Sequence, residues 1–319
     1  MAAKIPYPKT LSEAVRLYAD PEIAHGFVTA LRWPNGVACP RLGCGSADVH
    51  FISTRRTWRC NECKRQFSTK VGTIFEESPL GYDKWLPAIW LITNAKNGIS
   101  SCEVARALAV TQKTAWFMLH RIRAAMKSGT FEKLAGPVEV DETYVGGLVK
   151  SMNQKRRSRF EKGLKGPGAS GKVSVLGIRE RNTAERKGKI RAFVIPFVDR
   201  EELQGGIRKH VEPGAEVHTD GFPAYRGLSK DYVHHVIDHA YEYVRENVHT
   251  NSIESFFSVL KRTLKGTYIA PRPQHLQRYI EEQVHRFNER EKTDGERFPV
   301  VVKQADGVRL TYKKLIGKG

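Results

Sequence analysis

The 319-residue sequence contains no run of about 18 apolar residues, the length that a membrane-spanning helix requires. Its N-terminus, MAAKIPYPKT, lacks the apolar stretch of a secretion signal. No basic amphipathic segment is concentrated enough to predict an anchor on a membrane surface. We therefore expect no membrane partner, and we expect the chain to remain in the cytoplasm.

Acidic residues are scarce relative to basic ones, with 34 Asp and Glu against 53 Lys and Arg and a formal net charge of +19. The excess is spread over the whole chain, which predicts a polyanionic partner. Because membrane features are absent, the composition favours nucleic acid as that partner. The alternative is a basic protein that is merely soluble.

Cysteine is also rare, and four of the five cysteines fall within one short segment: Cys39, Cys44, Cys60 and Cys63. In a reducing cytoplasm such a group predicts a metal site and not disulfides. The spacing gives two tight turns that each offer two thiolates, the ligand set of a closed, structural Zn²⁺ site. A chance cluster, or an iron site on the same thiolates, is the alternative. Cys102 stands alone in an apolar helical pattern, so we expect it to bind no metal.

Two basic segments are candidates for contact with phosphates. The first flanks the cysteines and consists of Arg55, Arg56, Lys64 and Arg65. The second, residues 150–172, has eight Lys or Arg against the single acid Glu161 and is rich in glycine. It predicts a mobile basic loop, which is either an arm that DNA orders or a solvated linker.

The pattern of helices and strands divides the chain into four segments. Residues 1–75 predict short helices followed by the cysteine module, and residues 76–130 predict a helical DNA-binding region. Strands begin after Gly136-Pro137, so residues 136–290 predict an α/β domain. Residues 291–319 are expected to form a basic C-terminal tail.

Residues 98–123 have the apolar spacing of two short helices around a turn, a helix-turn-helix pattern. Ser100 or Ser101 can cap the first helix, and Thr111 can cap the second. The second helix would present three polar residues to base edges at its N-terminus: Gln112, Lys113 and Thr114. An ordinary helical hairpin is the alternative.

Two aspartates lie on predicted strands whose ends can converge. Asp141 alternates with Val138 and Val140 on one strand, and Asp220 ends the strand Glu216–Asp220. Carboxylates are the ligands that Mg²⁺ prefers, and two such ions about 3.5–4 Å apart can activate an attacking oxygen and stabilise a leaving one. A third carboxylate would complete such a site.

The candidate for the third carboxylate is Glu254, on a helix whose apolar stripe packs it against the domain. Lys261, seven residues later, shares a neighbouring face of that helix. The alternative is a capping box in which Asn251 is the N-cap and Glu254 has no catalytic role. The local sequence does not decide between the two, and the other acids Glu139, Glu142 and Asp238 prevent a decision by counting.

The assembled motifs resemble those of a known family. They are the four cysteines, VEVDETYVGG around Asp141, HTDGFPAY around Asp220, HTNSIESFFSVLKR around Glu254, and RYIEEQVHRFNER near the end. From about Ala14 to Arg290 the chain resembles the insertion-sequence transposases that join a zinc ribbon to a ribonuclease-H-like catalytic domain, bacterial relatives of the Merlin transposons.

The resemblance implies a multidomain fold: a small β zinc ribbon, an α-helical helix-turn-helix and an α/β ribonuclease-H-like, retroviral-integrase-like domain. It implies a DDE-type mechanism with two Mg²⁺ or Mn²⁺ ions, cleavage at terminal inverted repeats of double-stranded DNA, and strand transfer into target DNA. It also implies a homo-oligomer on paired ends, associated with the bacterial nucleoid. The family has Asn or Glu at the third position, followed by Lys, so Asn251, Glu254 and Lys261 all remain candidates.

A hypothesis from another class is a non-catalytic regulator that binds DNA through the zinc ribbon and helix-turn-helix. The presence of Asp141, Asp220 and Glu254 argues against it.

Overall fold

The computed structural model describes residues 7–127, 132–146, 154, 172–184, 187–237, 250–269 and 271–317. The chain forms two compact units, Met1–Lys127 with Glu289–Gly319, and Ser128–Asn288. The predicted basic loop at 150–172 lies outside the described residues except for positions 154 and 172. None of the helices in the described ranges is both long and apolar enough to cross a membrane.

The first unit is built mainly from helices. They are α1 (Leu11–Tyr18), α2 (Pro21–Arg32), α3 (Tyr82–Asn94), α4 (Ser101–Leu108) and α5 (Gln112–Ala125). Side chains of Thr10 and Asp20 cap α1 and α2 by accepting backbone N–H bonds, as these residue types favour. The apolar faces of the helices share one core, in which Trp85 and Phe27 are almost fully buried.

The cysteine segment of the first unit contains a small antiparallel sheet of β1 (Val49–Ile52), β2 (Thr57–Cys60) and β3 (Gln66–Phe67). Trp58 pairs with Phe67 across two strands, and both pack against buried cysteines. A core of this size cannot stabilise a fold by apolar burial alone, so a metal crosslink fits the architecture.

The prediction that residues 291–319 form a basic C-terminal tail is wrong, because this segment folds into the first unit. It forms α9 (Asp294–Gln304) and α10 (Tyr312–Leu315). Phe298 of α9 lies in the same core as the N-terminal helices, with its ring centroid 5.2 Å from that of Trp90. Composition concealed this helix because its buried face lies among charged residues. The boundary predicted between residues 75 and 76 also falls inside this unit.

The second unit is a five-stranded sheet in the described part of the chain. Its strands are β4 (Val138–Val145), β5 (Val173–Glu180), β6 (Ile190–Ile195), β7 (Glu216–Asp220) and β8 (Val233–Ile237). Their order across the sheet is β6-β5-β4-β7-β8. The strands β4, β5 and β6 are antiparallel neighbours, whereas β7 is parallel to β4 and β8 is parallel to β7. The pattern of the sequence had not predicted β8.

Helices cover both faces of this sheet. On one face, α6 (Arg200–His210) packs against Val138 and Val140. On the other face lie α7 (Asn251–Gly266) and α8 (Pro273–Asn288). Since side chains alternate along a strand, Asp141 faces α7, the helix that carries Glu254.

Candidate functional site

The four cysteine sulfurs lie within 4.8 Å of one another. The Sγ atoms of Cys39 and Cys63 are 3.8 Å apart, and those of Cys44 and Cys60 are 3.6 Å apart. Zinc with tetrahedral Zn–S bonds of about 2.3 Å separates its sulfurs by about 3.8 Å, so the cluster has the size of a zinc site. The backbone N–H of Cys63 donates to the Cys60 sulfur and lowers the pKa of that thiol to about 7, which favours the metal-binding thiolate.

The basic residues predicted to contact phosphates are exposed on this module: Arg55, Arg56, Lys64 and Arg65. Arg56 forms an ion pair with Glu22 of α2. A phosphate would have to compete with this exposed carboxylate, whose contribution to stability is small.

The turn between α4 and α5 agrees with the capping predictions. Ser100 caps α4 through a capping box with Glu103, and Thr111 caps α5.

The prediction that Cys102 lies in an apolar stripe is wrong, because its side chain is exposed. The buried face of α4 consists of Val104, Ala105 and Leu108, and Cys102 points away from it.

The predicted base-reading residues lie at the first turn of α5. Gln112 and Lys113 are exposed, whereas Thr114 is half-buried and its hydroxyl oxygen lies 2.8 Å from that of Thr111. The Gln112 side-chain amide donates to the Ser101 hydroxyl at 2.7 Å. The surface presented to a partner is therefore formed mainly by Gln112 and Lys113.

The two predicted aspartates meet across neighbouring parallel strands. Val138 of β4 lies opposite Val217 of β7, and the next pair follows in the same register. Continuing that register brings Asp141 beside Asp220 on the face that α7 covers. Each carboxylate also accepts a nearby backbone N–H, at 2.8 Å for Asp141 and 3.0 Å for Asp220.

The electrostatics of Asp141 show how close the acids are. Burial raises the pKa of Asp141 to about 7, and the negative charges of Glu142, Asp220 and Glu254 contribute to the rise. Carboxylates that disfavour one another's ionisation form a site at which a cation is stabilised. The structure thus brings the three predicted acids within interaction range.

The three acids do not bring their oxygens as close together as the cysteines bring their sulfurs. Among the described residues, only the four cysteines bring three or more ligand atoms within 4.8 Å of one another. A pair of ions about 3.5–4 Å apart needs one shared carboxylate and outer ligands that can be farther from each other. The donor set, carboxylates only, suits Mg²⁺ or Mn²⁺.

The capping-box alternative for Glu254 is wrong. Helix α7 begins at Asn251, and the residue before it, Thr250, occupies the N-cap position. The Glu254 carboxylate accepts a hydrogen bond from the Thr250 hydroxyl at 3.2 Å. Asn251, Glu254 and Lys261 are all exposed on this helix, and within the described part of the chain none of the three bonds to Asp141 or Asp220.

Glu139 anchors the helix that carries Glu254, a role that the sequence did not reveal. Its fully buried carboxylate accepts the backbone N–H groups of Ser252 and Ile253, both at 3.0 Å. Its other oxygen accepts a bond from Arg181 at 2.9 Å. With both oxygens occupied, Glu139 serves the N-terminus of α7 and is not free to bind a metal ion.

Arg179 completes this anchor from the neighbouring strand. It lies opposite Glu139 in the β4–β5 pair, and its guanidinium donates to the carbonyl oxygen of Ser252 at 2.6 Å. The backbone of Ser252 is thus held on both its N–H and its C=O side, two residues before Glu254. The only local signal for this role was that Glu139 lies on the same face of the strand as Asp141.

Gly177 allows α7 to approach the sheet beside Asp141. It is the cross-strand partner of Asp141. A Cβ atom at Gly177 would lie 2.6 Å from the Phe257 ring and 2.8 Å from the Ile253 side chain, distances that packed atoms do not tolerate. The absence of a side chain here therefore sets the distance between α7 and β4.

Glu142 is a fourth carboxylate next to Asp141 on β4, and alternation turns it towards the α6 face of the sheet. Its side chain accepts a hydrogen bond from the buried Tyr225 hydroxyl at 2.7 Å. Burial raises the pKa of Glu142, and the neighbouring Asp220 raises it further, while the Tyr225 bond lowers it. Because its partner lies 83 positions away in sequence, local pattern could not identify this pair.

Two family models match the chain. One, described as the ISXO2-like transposase domain, matches residues 133–288, and the other, described as the transposase zinc-ribbon domain, matches residues 20–66. The first range contains Asp141, Asp220, Glu254, Glu139 and Glu142, and the second contains the four cysteines.

Two curated relatives are similar to the chain. An uncharacterized protein in transposable element ISH50 of Halobacterium salinarum is 29% identical over 262 residues, which cover 78% of this chain and 85% of that protein. An uncharacterized transposase-like protein of Haemophilus influenzae is 31% identical over 106 residues, which cover 33% of this chain and 85% of that protein. No solved structure matches the chain significantly.

Proposed function

The chain belongs to the insertion-sequence transposases that carry an N-terminal zinc ribbon, and from this premise we propose that it is an active DNA strand transferase. It cuts DNA at the terminal inverted repeats of its element and joins the ends to target DNA. The observation that carries this proposal is that Asp141 and Asp220 share one face of two neighbouring strands, the face that the helix bearing Glu254 covers.

The proposed fold of the catalytic unit is ribonuclease-H-like. Three antiparallel strands followed by two parallel ones, in the order β6-β5-β4-β7-β8 with helices on both faces, support this assignment. In such a sheet the first strand, β4, is central, and its neighbour β7 brings a second acid next to it. The helix α7 then supplies the third acid from the covering layer.

We assign the metal ligands to Asp141, Asp220 and Glu254. When bound, two Mg²⁺ or Mn²⁺ ions would activate the attacking oxygen and stabilise the leaving one in an in-line displacement at phosphorus. The residues themselves supply orientation. Backbone N–H groups hold one oxygen of each aspartate, and the Thr250 hydroxyl holds one oxygen of Glu254.

Glu254 is a better third ligand than Asn251. Its charge contributes to the raised pKa of Asp141, so it lies within interaction range of the acids. Its helix is fixed to β4 by Glu139, which limits the motion of its first turn. Lys261, two turns farther along, is proposed to contact a DNA phosphate near the cleaved bond.

Recognition of the element ends is assigned to the first unit. The zinc ribbon, stabilised by one Zn²⁺, contacts phosphates through the exposed residues Arg55, Arg56, Lys64 and Arg65. The pair α4–α5 acts as a helix-turn-helix in which Gln112 and Lys113 reach base edges. Strand transfer at paired ends requires at least two active centres, so we propose that the chain works as a homo-oligomer on DNA.

The test is a cleavage assay with a supercoiled plasmid that carries the terminal inverted repeats flanking the gene. We expect Mg²⁺-dependent cuts at the ends of the repeats, and no cuts in a plasmid with scrambled repeats. Binding to the repeats without any cleavage, in either Mg²⁺ or Mn²⁺, would instead identify a non-catalytic DNA-binding regulator.

A further inference from the structure

The last described residues of the first unit form a fixed surface. Residues 309–317, called the C-terminal segment below, lie outside both regions matched by the family models. Leu315 is only 3% exposed. Arg309 pairs with two acids that precede α3, Glu76 and Glu77. One end of the segment is therefore tied to the residues before α3, and the other end is buried.

Tyr312 joins this segment to the first turns of α5. Its ring meets the edge of the Phe117 ring, with the centroids 5.5 Å apart. The ammonium group of Lys113 lies 5.2 Å from the centroid of the Tyr312 ring, within the range of a cation–π interaction. One of the two exposed residues at the start of α5 is therefore held against the C-terminal segment.

The C-terminal segment is basic. It contains no acidic residue, and Lys313 and Lys314 are both exposed directly after Tyr312. Lys113, held against the Tyr312 ring, adds a third positive charge to this surface. Arg309 is neutralised by its acidic partners, so the two lysines supply the available charge.

We propose that the C-terminal segment is part of the surface that binds double-stranded DNA, and that Lys313 and Lys314 contact phosphates beside the groove that α5 enters. The inference rests on the proposed function, in which α4 and α5 recognise the element ends. Phosphate contacts next to a recognition helix fix its orientation on the duplex. Tyr312 acts as a positioning residue for Lys113.

DNA fits this surface better than an acidic protein does. The neighbouring residue Gln112 is exposed and polar, as a base-reading position requires. The core of a protein interface is depleted of charged residues, and of lysine in particular, whereas the exposed side chains of this segment are Arg309, Tyr312, Lys313 and Lys314.

The test measures affinity of the full-length protein for an element-end duplex and a scrambled duplex at several salt concentrations. The variant is Lys313→Ala/Lys314→Ala. If each lysine neutralises one phosphate, the slope of log K against log salt becomes shallower by about 1.8, and affinity at 0.15 M salt falls roughly 30-fold. The loss should be similar on both duplexes, because phosphate contacts carry no sequence information.

The matched control is Lys9→Ala/Lys303→Ala. It removes the same charge from the same unit, but these exposed lysines line a different groove, together with Tyr7 and Pro299. We expect its affinity to stay within about threefold of the wild type, with an unchanged salt slope.

Substitutions of Tyr312 test its positioning role separately. Tyr312→Ala should reduce the preference for element ends over scrambled DNA, whereas Tyr312→Phe, which keeps the ring over Lys113, should retain it.

Different outcomes separate the inference from the proposed function. If the wild type does not prefer element ends, the assigned recognition role fails, and the inference fails with it. If the wild type prefers the ends but Lys313→Ala/Lys314→Ala binds with the same affinity and slope, or more tightly, only the inference is overturned. Equal losses in the Lys9→Ala/Lys303→Ala control would also overturn it, since the effect would then be one of net charge.

Discussion

Glu139 provides a test of how the third carboxylate is positioned. Replacing it by Gln keeps the size of the side chain and one acceptor oxygen but removes the charge. The Gln amide group would then face either Arg181 or the N–H groups of the α7 N-terminus, and each arrangement replaces an attraction by a repulsion. The first turn of α7, and Glu254 with it, should lose its fixed position.

The expected magnitudes follow from the contacts. A hydrogen bond to a charged group contributes about 1.5–3 kcal/mol, so Glu139→Gln should lower the free energy of unfolding of the second unit by about that amount. Glu139→Ala leaves Arg181 and two helix N–H groups without their acceptor and should cost about 3–5 kcal/mol. Looser positioning of Glu254 that weakens metal binding by about 1.4 kcal/mol would raise the Mg²⁺ midpoint tenfold.

The assay is plasmid cleavage by Glu139→Gln as a function of Mg²⁺ concentration, below the temperature at which the variant unfolds. We expect a Mg²⁺ midpoint about tenfold above that of the wild type and unchanged binding to element ends. Glu180→Gln is the control, because Glu180 is also buried and accepts a backbone N–H, that of Gly136, at 3.1 Å, while alternation along β5 places it on the sheet face of Leu176 and Ile178, opposite to α7. A Glu139→Gln variant that is destabilised as expected but keeps the wild-type Mg²⁺ midpoint would refute the positioning role.

Three further predictions concern packing, zinc and pH. Gly177→Ala should destabilise the second unit by about 1–3 kcal/mol and reduce cleavage, and a second change, Phe257→Leu, should restore part of both. Metal analysis should find one Zn²⁺ per chain, lost in Cys60→Ser/Cys63→Ser; an unchanged zinc content would contradict the four-thiolate site. The folded-state pKa of Asp141, about 7, lies above its ordinary value of 3.8, so the protonated carboxyl group favours folding. In magnesium-free buffer, thermal stability should therefore fall as the pH rises from 5 to 8, and it should fall less in Asp141→Asn.

Much of the local structure could be predicted from the sequence because its signals are local. The strand Glu216–Asp220 has the predicted bounds, and Ser100 and Thr111 cap their helices as expected. The four cysteines converge because each of two tight turns holds two of them close together, and only a short segment of chain separates the turns. These features depend on residues a few positions apart, within reach of pattern and capping rules.

The features that the sequence did not reveal depend on distant partners. Glu139 meets Ser252 across 113 positions, and Glu142 meets Tyr225 across 83. The predicted tail failed for a related reason, since Phe298 joins a core formed by helices from the other end of the chain. A fragment of residues 130–319 would therefore carry α9 without the core that buries Phe298, and it is unsuited to testing the catalytic unit alone.

The central claim is that Asp141, Asp220 and Glu254 bind the metal ions that cleave DNA. The most direct measurement compares end binding and Mg²⁺-dependent plasmid cleavage for Asp141→Asn, Asp220→Asn, Glu254→Gln and Asn251→Ala. We expect the first three variants to bind the element ends like the wild type and to cut nothing, because each loses a negative charge at nearly constant volume, whereas Asn251→Ala should still cut. Near-normal cleavage by Glu254→Gln together with loss of cleavage in Asn251→Ala would move the third role to Asn251, and cleavage by either aspartate variant would contradict the site itself.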